Sequence, residues 1–281
     1  MLTYVLYNPT AGGGTEAARR LESFWLGKPL RFLAIQRVTD YAAWFSMLKP
    51  EDALVICGGD GTLNRFCNDT AGIPLSNPLY YYPTGSGNDF WRDIGKKVGD
   101  PPCRIEPCLT SLPAVEVNGK RSVFLNGVGY GIDGYCCEQG DRQRAAGKLP
   151  VNYTSIAIRG LLWHYKPTNA VVTVDGVSHP FFGVWLAPCM KGRYYGGGMM
   201  PTPNQDRKNP EGTVSVMVMH GAGKLKTLAV FPSIFKGAHI RHTDMVSVLT
   251  GKEIHVAFDR PAPLQIDGET VSNVSEYRVS A

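Results

Sequence analysis

The stretch that decides the fold reads ALVICGGDGT and runs from Ala53 to Thr62. Its apolar half, Ala53–Cys57, predicts a buried strand, and its glycines predict a tight loop before a helix over Leu63–Ala71. The same order of short strand, loop and helix recurs on both sides. Further strands are predicted at Thr3–Tyr7, Arg31–Gln36 and Leu79–Tyr82, and further helices at Thr15–Leu26 with Thr15 as N-cap and at Thr39–Leu48 with Thr39 as N-cap. This alternation predicts a parallel sheet with helices on its faces, a Rossmann-like α/β domain.

The pattern changes near residue 110, where strands begin to dominate. The predicted strands are Ala114–Val117, Val123–Val128, Ala170–Val174, Phe181–Leu186, Thr213–Met219, Met245–Leu249, Glu253–Ala257 and Leu264–Ile266. Two helices interrupt them, at about Val151–His164 and Leu225–Phe235, and Asp175-Gly176 predicts a hairpin turn. We therefore expect an α/β domain over 1–112 and an antiparallel β-sandwich or barrel over 113–281, with the last strand free to return to the first domain.

Composition narrows the class of protein. The chain has 281 residues, 43% apolar and 19% charged, with a net charge of +5, which indicates a globular protein and does not require a nucleic-acid partner. Seven cysteines without a CxxC pair favour free thiols in a reducing compartment, the cytoplasm. The N-terminus has no signal-peptide pattern, and the longest uncharged run, Thr70–Asn88, carries three prolines and cannot span a membrane.

Three glycine-rich loops follow strands of the first domain. They begin at Asn8-Pro9, at Gly58-Gly59 and at Pro83-Thr84. Glycine lets the backbone approach an anion closely, and a helix that starts after such a loop offers free N–H groups to a phosphate. Asp60 and Asp89 add negative charge to these loops, an arrangement that suits phosphates only if Mg²⁺ lies between them.

The segment Asp267-Gly268-Glu269 allows two interpretations. It can be an ordinary Asp-Gly hairpin turn, as expected for Asp175-Gly176. It can also place two carboxylates around a flexible glycine in a catalytic site. The spacing alone does not separate the two.

Together these motifs resemble a known family. GGDGT at Gly58–Thr62, PTGSGNDF at Pro83–Phe90 and the loop at Asn8 are similar to the diacylglycerol kinase catalytic-domain family. More narrowly, the chain resembles its soluble bacterial lipid kinases, relatives of sphingosine kinases and more distantly of NAD kinases. Further matches are FLNG before GYGID at Gly129–Asp133, the glycines Gly196–Gly198, the pair Gly237 and His239, and QIDGE at Gln265–Glu269.

The resemblance implies an ATP-binding α/β domain, a β-sandwich and transfer of the γ-phosphate of ATP to a lipid hydroxyl. The default reaction is diacylglycerol to phosphatidic acid, with Mg²⁺ required. It also implies a cytoplasmic enzyme that binds its lipid peripherally at the inner face of the membrane, without nucleic acid, and it leaves room for a homodimer.

Residue roles follow from the matched motifs. The catalytic candidates are Glu269 as proton acceptor, Asp267 beside it, and Asp60 as a rival base or a holder of Mg²⁺–ATP. The nucleotide contacts are Asn8, Pro9, Thr10, Ala11, Gly12, Thr39, Gly58, Gly59, Asp60, Gly61, Thr62, Leu63, Asn64, Ser86 and Asn88. The metal candidates are Asp89, Glu116, Lys208, Glu211 and Thr213.

The sequence departs from the family pattern at two of the metal candidates. Glu116 stands where bacterial relatives have an Asp that partners Asp89, and Glu211-Gly212 replaces the Asp-Gly of a structural metal loop. Two other functions stay open at this point. One is a kinase for another alcohol, such as a sphingoid base, another lipid or NAD, and the other is a nucleotide-binding protein without kinase activity.

Overall fold

The computed structural model of the protein describes residues 1–9, 14–25, 28–148, 151 and 153–281. Backbone contacts divide it into two compact units, Met1–Ser111 and Leu112–Ala281. None of the helices in these ranges combines the length and the hydrophobicity that crossing a bilayer requires.

The first unit is built on a five-stranded sheet in the order β2-β1-β3-β4-β5. Its strands are β1 Thr3–Tyr7, β2 Leu30–Ala34, β3 Ala53–Gly58, β4 Leu79–Pro83 and β5 Cys103–Arg104. The first four are parallel, and β5 is antiparallel to β4. Every residue of β3 is buried, because β3 lies between β1 and β4 with both faces covered. The predicted parallel α/β domain is confirmed.

Helices connect these strands. They are α1 Gly14–Arg19, α2 Tyr41–Ser46, α3 Asp60–Asp69, α4 Asp89–Asp93 and α5 Glu106–Leu109, with 3₁₀ turns at Arg20–Ser23 and Ile35–Arg37. Two predicted caps are wrong. Thr15 lies inside α1, and Asp40 rather than Thr39 caps α2, because its carboxylate accepts the N–H of Ala43 at 2.9 Å.

The second unit is an antiparallel sheet in the order β13-β12-β11-β8-β14-β15-β6-β7, with β9 pairing with both β14 and β10. Its strands are β6 Ala114–Val117, β7 Lys120–Val123, β8 Gly127–Tyr130, β9 Thr168–Val174, β10 Val177–Val184, β11 Cys189–Met190, β12 Val214–Met219, β13 Val246–Gly251, β14 Glu253–Ile266 and β15 Glu269–Ser280. A core of fully buried side chains, among them Val172, Val216 and Val256, packs between its strands. The predicted antiparallel β domain is confirmed.

Some strand bounds differ from the prediction. The predicted strand Val123–Val128 is in fact the end of β7 and the start of β8, separated by a turn that holds Asn126. The two strands predicted at Glu253–Ala257 and Leu264–Ile266 are one long strand, β14, whose register shifts around Pro261 and Pro263. The last strand, β15, pairs with β14 and β6 and so belongs to the second sheet.

The helices of the second unit are α6 Ile132–Ala145, α7 Tyr153–Arg159 and α8 Lys224–Val230. A π-helical turn, Gly160–His164, continues α7, and 3₁₀ turns at Phe231–Lys236 and Ala238–Arg241 follow α8. The two helices expected near 151 and 225 are therefore present, whereas α6 was not predicted.

Candidate active site

The loops of the first unit meet at the carboxyl edge of its sheet. Asn8, just after β1, donates from Nδ2 to the hydroxyl of Thr62 at 3.4 Å and accepts on Oδ1 from Gln36 at 2.9 Å. One amide therefore joins the segments that follow β1, β2 and β3. Of the predicted nucleotide contacts in this loop, Pro9 is exposed, and Thr10, Ala11 and Gly12 lie outside the described residues.

The loops after β3 and β4 touch through their glycines. A Cβ placed on Gly85 would lie 2.6 Å from Cα of Gly59, and one on Gly59 would lie 3.2 Å from Cα of Gly85. The backbone of Thr84 also donates to the carbonyl of Gly58 at 2.9 Å. Glycine is required here for close approach of two backbones, which brings two potential phosphate-binding loops side by side.

Asp60 fastens the same two loops. It is the first residue of α3, and its two carboxylate oxygens accept the backbone N–H groups of Asp89 at 3.0 Å and Phe90 at 2.9 Å. These N–H groups open α4, so Asp60 caps a helix thirty residues further along the chain. The carboxylate therefore positions the GSGND loop.

Asp89 and Asn88 hold the end of that loop. Asn88 adopts a left-handed conformation with φ 52° and donates from its side chain to the carbonyl of Gly85 at 2.7 Å. Asp89 is buried and accepts from the guanidinium of Arg92 at 3.3 Å. Two carboxylates, Asp60 and Asp89, are thus connected through one backbone N–H beside the paired glycines.

The remaining predicted nucleotide contacts differ in exposure. Ser86 and Thr39 are exposed in the loops, and Gly61 is exposed in the first turn of α3. Leu63 is fully buried, and the buried Asn64 accepts on its side-chain oxygen from Asn68 at 3.1 Å.

In the second unit, Asp267-Gly268 forms the two-residue turn between β14 and β15. Both residues have positive φ, 46° and 96°, and Glu269 opens β15 opposite Ile266. The carboxylate of Asp267 accepts three backbone N–H groups, from Leu125 at 2.5 Å, Asn126 at 2.9 Å and Gly127 at 3.0 Å. Glu269 is exposed, two residues after Asp267 in the chain.

A buried pair, Gln265 and Asp133, is hydrogen-bonded to the backbone of this turn. Gln265 accepts the N–H of Gly268 on Oε1 at 2.6 Å and donates from Nε2 to Asp133 at 2.9 Å. Burial raises the pKa of Asp133 to about 6, against the hydrogen bond from Gln265, which lowers it. A titratable carboxyl is therefore connected to the backbone of the Asp267–Glu269 segment through one amide.

Arg207 completes this cluster and was not predicted. Its buried guanidinium donates to the carbonyl of Leu125 at 2.6 Å and to Oδ1 of Asn126 at 2.8 Å. Burial, and then the charge of Arg207, lower the pKa of the neighbouring Lys191. No short motif contains Arg207, and the only sequence signal at this turn was Asn126 in the FLNG match.

The other metal candidates lie in ordinary surroundings. Glu116 is exposed on β6, opposite Arg278 of β15 and Arg121 of β7. In the loop of Lys208, Glu211 and Thr213, the carbonyl of Thr213 already accepts side-chain amide N–H groups from Gln205 at 2.9 Å and Asn209 at 3.0 Å. Both lone pairs of that carbonyl are therefore occupied by protein donors. Within the described ranges, no group of three or more His, Cys, Asp or Glu side chains is placed to hold a metal ion.

Comparison with solved structures defines the class of the fold. The chain superposes on a crystal structure titled a diacylglycerol kinase from Bacillus anthracis with a TM-score of 0.61 and 18% identity, over 99% of this chain and 92% of that one. The shared fold is a parallel α/β unit followed by an antiparallel β-sandwich.

Sequence comparison gives the family. Residues 3–113 match the model described as the diacylglycerol kinase catalytic domain, and residues 126–279 match the YegS C-terminal NAD kinase beta sandwich-like domain. The chain belongs to the diacylglycerol kinase family of lipid kinases. A protein of Mycobacterium tuberculosis named diacylglycerol kinase is 28% identical over 218 residues, which cover 75% of this chain and 68% of that protein.

Proposed function

We propose that this protein is an ATP-dependent, Mg²⁺-requiring kinase that transfers the γ-phosphate of ATP to the hydroxyl of diacylglycerol and forms phosphatidic acid. The observation that carries the nucleotide half is the backbone contact of Gly59 with Gly85, fastened by Asp60. The similarity to a protein named diacylglycerol kinase supports the choice of lipid.

The first unit, about 1–112, binds the nucleotide in this proposal. The loops after β1, β3 and β4 supply backbone N–H groups to the phosphates, and the exposed hydroxyls of Ser86 and Thr39 lie at the same sheet edge. The oxygen-rich pair Asp60 and Asp89 fits Mg²⁺, which prefers one or two carboxylates together with waters and phosphate oxygens. When bound, the ion would neutralise charge on the transferred phosphoryl group.

The second unit, about 113–281, provides the acceptor site and the base. Asp267 has three backbone N–H groups on its carboxylate, so we assign it the positioning of the turn. Glu269 is exposed at the end of that turn and can accept the hydroxyl proton. The lipid oxygen then forms its bond to the γ-phosphorus as the bond to the leaving oxygen of ADP breaks, and the proton resides on Glu269.

The metal assignment is narrower than the sequence implied. Asp89 and Asp60 stay in the proposal as the catalytic pair, and Thr213 leaves it because its carbonyl is already bonded twice. We assign Lys208 and Glu211 no part in the transfer step. Glu116 faces two arginines across its strands, and we give it no role in catalysis.

The acceptor implies where the enzyme works. Diacylglycerol resides in a bilayer, so we propose that the enzyme meets it peripherally from the cytoplasmic side. The net charge of +5 favours anionic membranes.

A radiolabel transfer assay tests this function. Purified protein is incubated with γ-labelled ATP and Mg²⁺, in parallel with diacylglycerol, a sphingoid base and NAD, and each reaction is repeated with EDTA. Label in phosphatidic acid that disappears with EDTA supports the proposal. Label only in the sphingoid base or NAD would replace the substrate, and no transfer to any acceptor would leave a nucleotide-binding protein.

A further inference from the structure

Three large apolar side chains of the second unit are exposed to an unusual extent. Trp163 is 67% exposed, Phe182 is 70% exposed and Leu225 is 81% exposed. They lie on three separate elements, the π-helical turn after α7, strand β10 and helix α8. Single exposed apolar residues are normal on a protein surface, whereas a group of them marks an interaction site.

Hydrogen bonds bring the three elements together. The ammonium group of Lys224, next to Leu225, donates to the carbonyl of Leu162, next to Trp163, at 2.9 Å. The N–H of Gly221, four residues before Leu225, donates to the carbonyl of Phe182 at 2.9 Å. The indole of the buried Trp185 donates to the carbonyl of Ala222 at 2.9 Å and anchors the connecting segment. We call Trp163, Phe182 and Leu225 the apolar patch.

Basic residues outnumber acidic ones on the segments that carry the apolar patch and on those that adjoin them. The cations on the same and adjoining segments are Arg159, Lys166, Lys224, Lys226 and Arg260, and the acids are Asp244 and Asp259. Asp244 pairs with Lys226, and Asp259 accepts from the hydroxyl of Thr168. With five cations and two acids, these segments carry a net positive charge.

We propose that the apolar patch is the surface by which this protein docks on an anionic lipid bilayer. Indole and phenyl rings insert at the boundary between headgroups and acyl chains, and a leucine side chain adds buried apolar area. The lysines and arginines on these segments attract anionic headgroups. The excess of positive charge beside exposed apolar side chains matches a bilayer with anionic headgroups, so we commit to a membrane as the occupant.

This inference rests on the proposed function, since a lipid acceptor is what requires a membrane surface. The inference goes further than the proposed function because it locates the membrane-docking surface at the apolar patch of the second unit. The surface consists of side chains on regular elements held by backbone bonds, so it exists before lipid binds.

Vesicle sedimentation tests the docking surface. The full chain is mixed with vesicles of phosphatidylcholine and phosphatidylglycerol, and with vesicles of phosphatidylcholine alone. The wild type should sediment with the anionic vesicles. The triple variant Trp163→Ser, Phe182→Ser and Leu225→Ser should lose about tenfold or more in affinity for them, because it loses most of the inserted apolar area.

The matched control is Val177→Ser, an apolar residue 60% exposed at the other end of β10. It should bind as the wild type does. A second assay uses a short-chain diacylglycerol dissolved in water. There the triple variant should keep wild-type kinase activity, since none of its three residues belongs to the proposed catalytic or nucleotide site.

The outcomes separate the two proposals. Unchanged vesicle binding by the triple variant, or no binding by the wild type, overturns the docking surface. So does a wild-type dimer that the triple substitution dissociates, because the apolar patch would then bind a second copy of the chain. Absence of phosphorylation of the short-chain lipid by every variant, with vesicle binding as expected, overturns the proposed function and leaves the docking surface intact.

Discussion

Two hairpins of the second unit have the same construction. Asp175-Gly176 joins β9 to β10 with φ 47° and 84°, and Asp267-Gly268 joins β14 to β15 with φ 46° and 96°. In the first, the backbone N–H of Asp175 donates to the carbonyl of Glu253. The backbone N–H of Glu253 donates in return to the carboxylate of Asp175 at 2.8 Å. In the second, Asp267 and Gly127 exchange the same two bonds, the return bond being 3.0 Å.

The surroundings of the turns differ. Asp175 uses one oxygen, Oδ1, for both of its N–H partners, whereas Asp267 uses both oxygens for three. Only the second turn has a buried amide and carboxyl beneath it, Gln265 and Asp133. The position after the glycine is Val177 in the first hairpin and Glu269 in the second. An Asp-Gly turn therefore reports local backbone geometry, and the atoms around it decide whether it carries chemistry.

The largest effect on stability that we expect is a pH dependence from Asp133 of α6, which is connected to the second hairpin through Gln265. The pKa of Asp133 is about 6 when folded and near 4 when unfolded, so the folded chain holds this proton more tightly. The stabilisation from the neutral form is present below about pH 4 and is lost as pH rises to about 6, by about 3 kcal/mol. Urea unfolding from pH 4 to pH 7 measures it.

The control for this prediction is the same titration on Asp133→Asn, with Asp175→Asn as the variant from the first hairpin. Asp133→Asn should remove this fall in stability, and Asp175→Asn should retain it. Parallel curves for the wild type and Asp133→Asn would show that the buried carboxyl does not respond to pH in this range.

A smaller difference is expected when the two turn aspartates become asparagine. In Asp267→Asn, an NH₂ group replaces one of the two accepting oxygens and leaves a backbone N–H without an acceptor, which costs about 1–3 kcal/mol of unfolding free energy. In Asp175→Asn, the single accepting oxygen is kept, and asparagine tolerates the positive φ, so the cost stays below about 0.5 kcal/mol. Denaturant midpoints compare the two variants. Equal losses of unfolding free energy would contradict the prediction, because the two carboxylates would then stabilise their turns to the same extent.

The smallest expected effect is a loss of stability that should be equal in the two hairpins. Gly176→Ala and Gly268→Ala each place a Cβ in open space at positive φ. Each should cost about 1 kcal/mol from backbone strain alone. Thermal unfolding of both variants measures this cost, and a much larger loss for one would reveal a contact at that turn beyond the backbone.

Sequence periodicity predicted three of the four parallel strands to within one residue, because a buried strand such as Ala53–Gly58 is a continuous apolar run. The strand predicted at Arg31–Gln36 ends two residues earlier, at Ala34. Periodicity failed for α6, whose Gly134 and Gly140 leave no apolar stripe. These glycines are packing residues, since a Cβ on Gly134 would lie 1.9 Å from the carbonyl of Pro263 and one on Gly140 would lie 2.7 Å from the ring of Tyr153. Such contacts join residues far apart in the chain and leave no local pattern.

The candidate site shows the same limit. Short motifs identified the glycine loops and the acids, because phosphate chemistry constrains neighbouring residues. They did not show that Asp60 caps α4 or that Asp267 binds Leu125–Gly127, because those partners are 29 to 142 residues away. The three bonds to Asp267 are the reason that we propose Glu269, rather than Asp267, as the base.

The most direct test of that assignment is the kcat of Glu269→Gln measured beside that of Asp267→Asn with saturating ATP and lipid. Glutamine keeps the shape of the side chain and cannot take the proton, so kcat should fall by roughly 10²–10⁴ while ATP affinity and the unfolding midpoint stay near wild type. A near-wild-type kcat for Glu269→Gln would contradict the account, and Asp60 or Asp267 would then replace it as the candidate base.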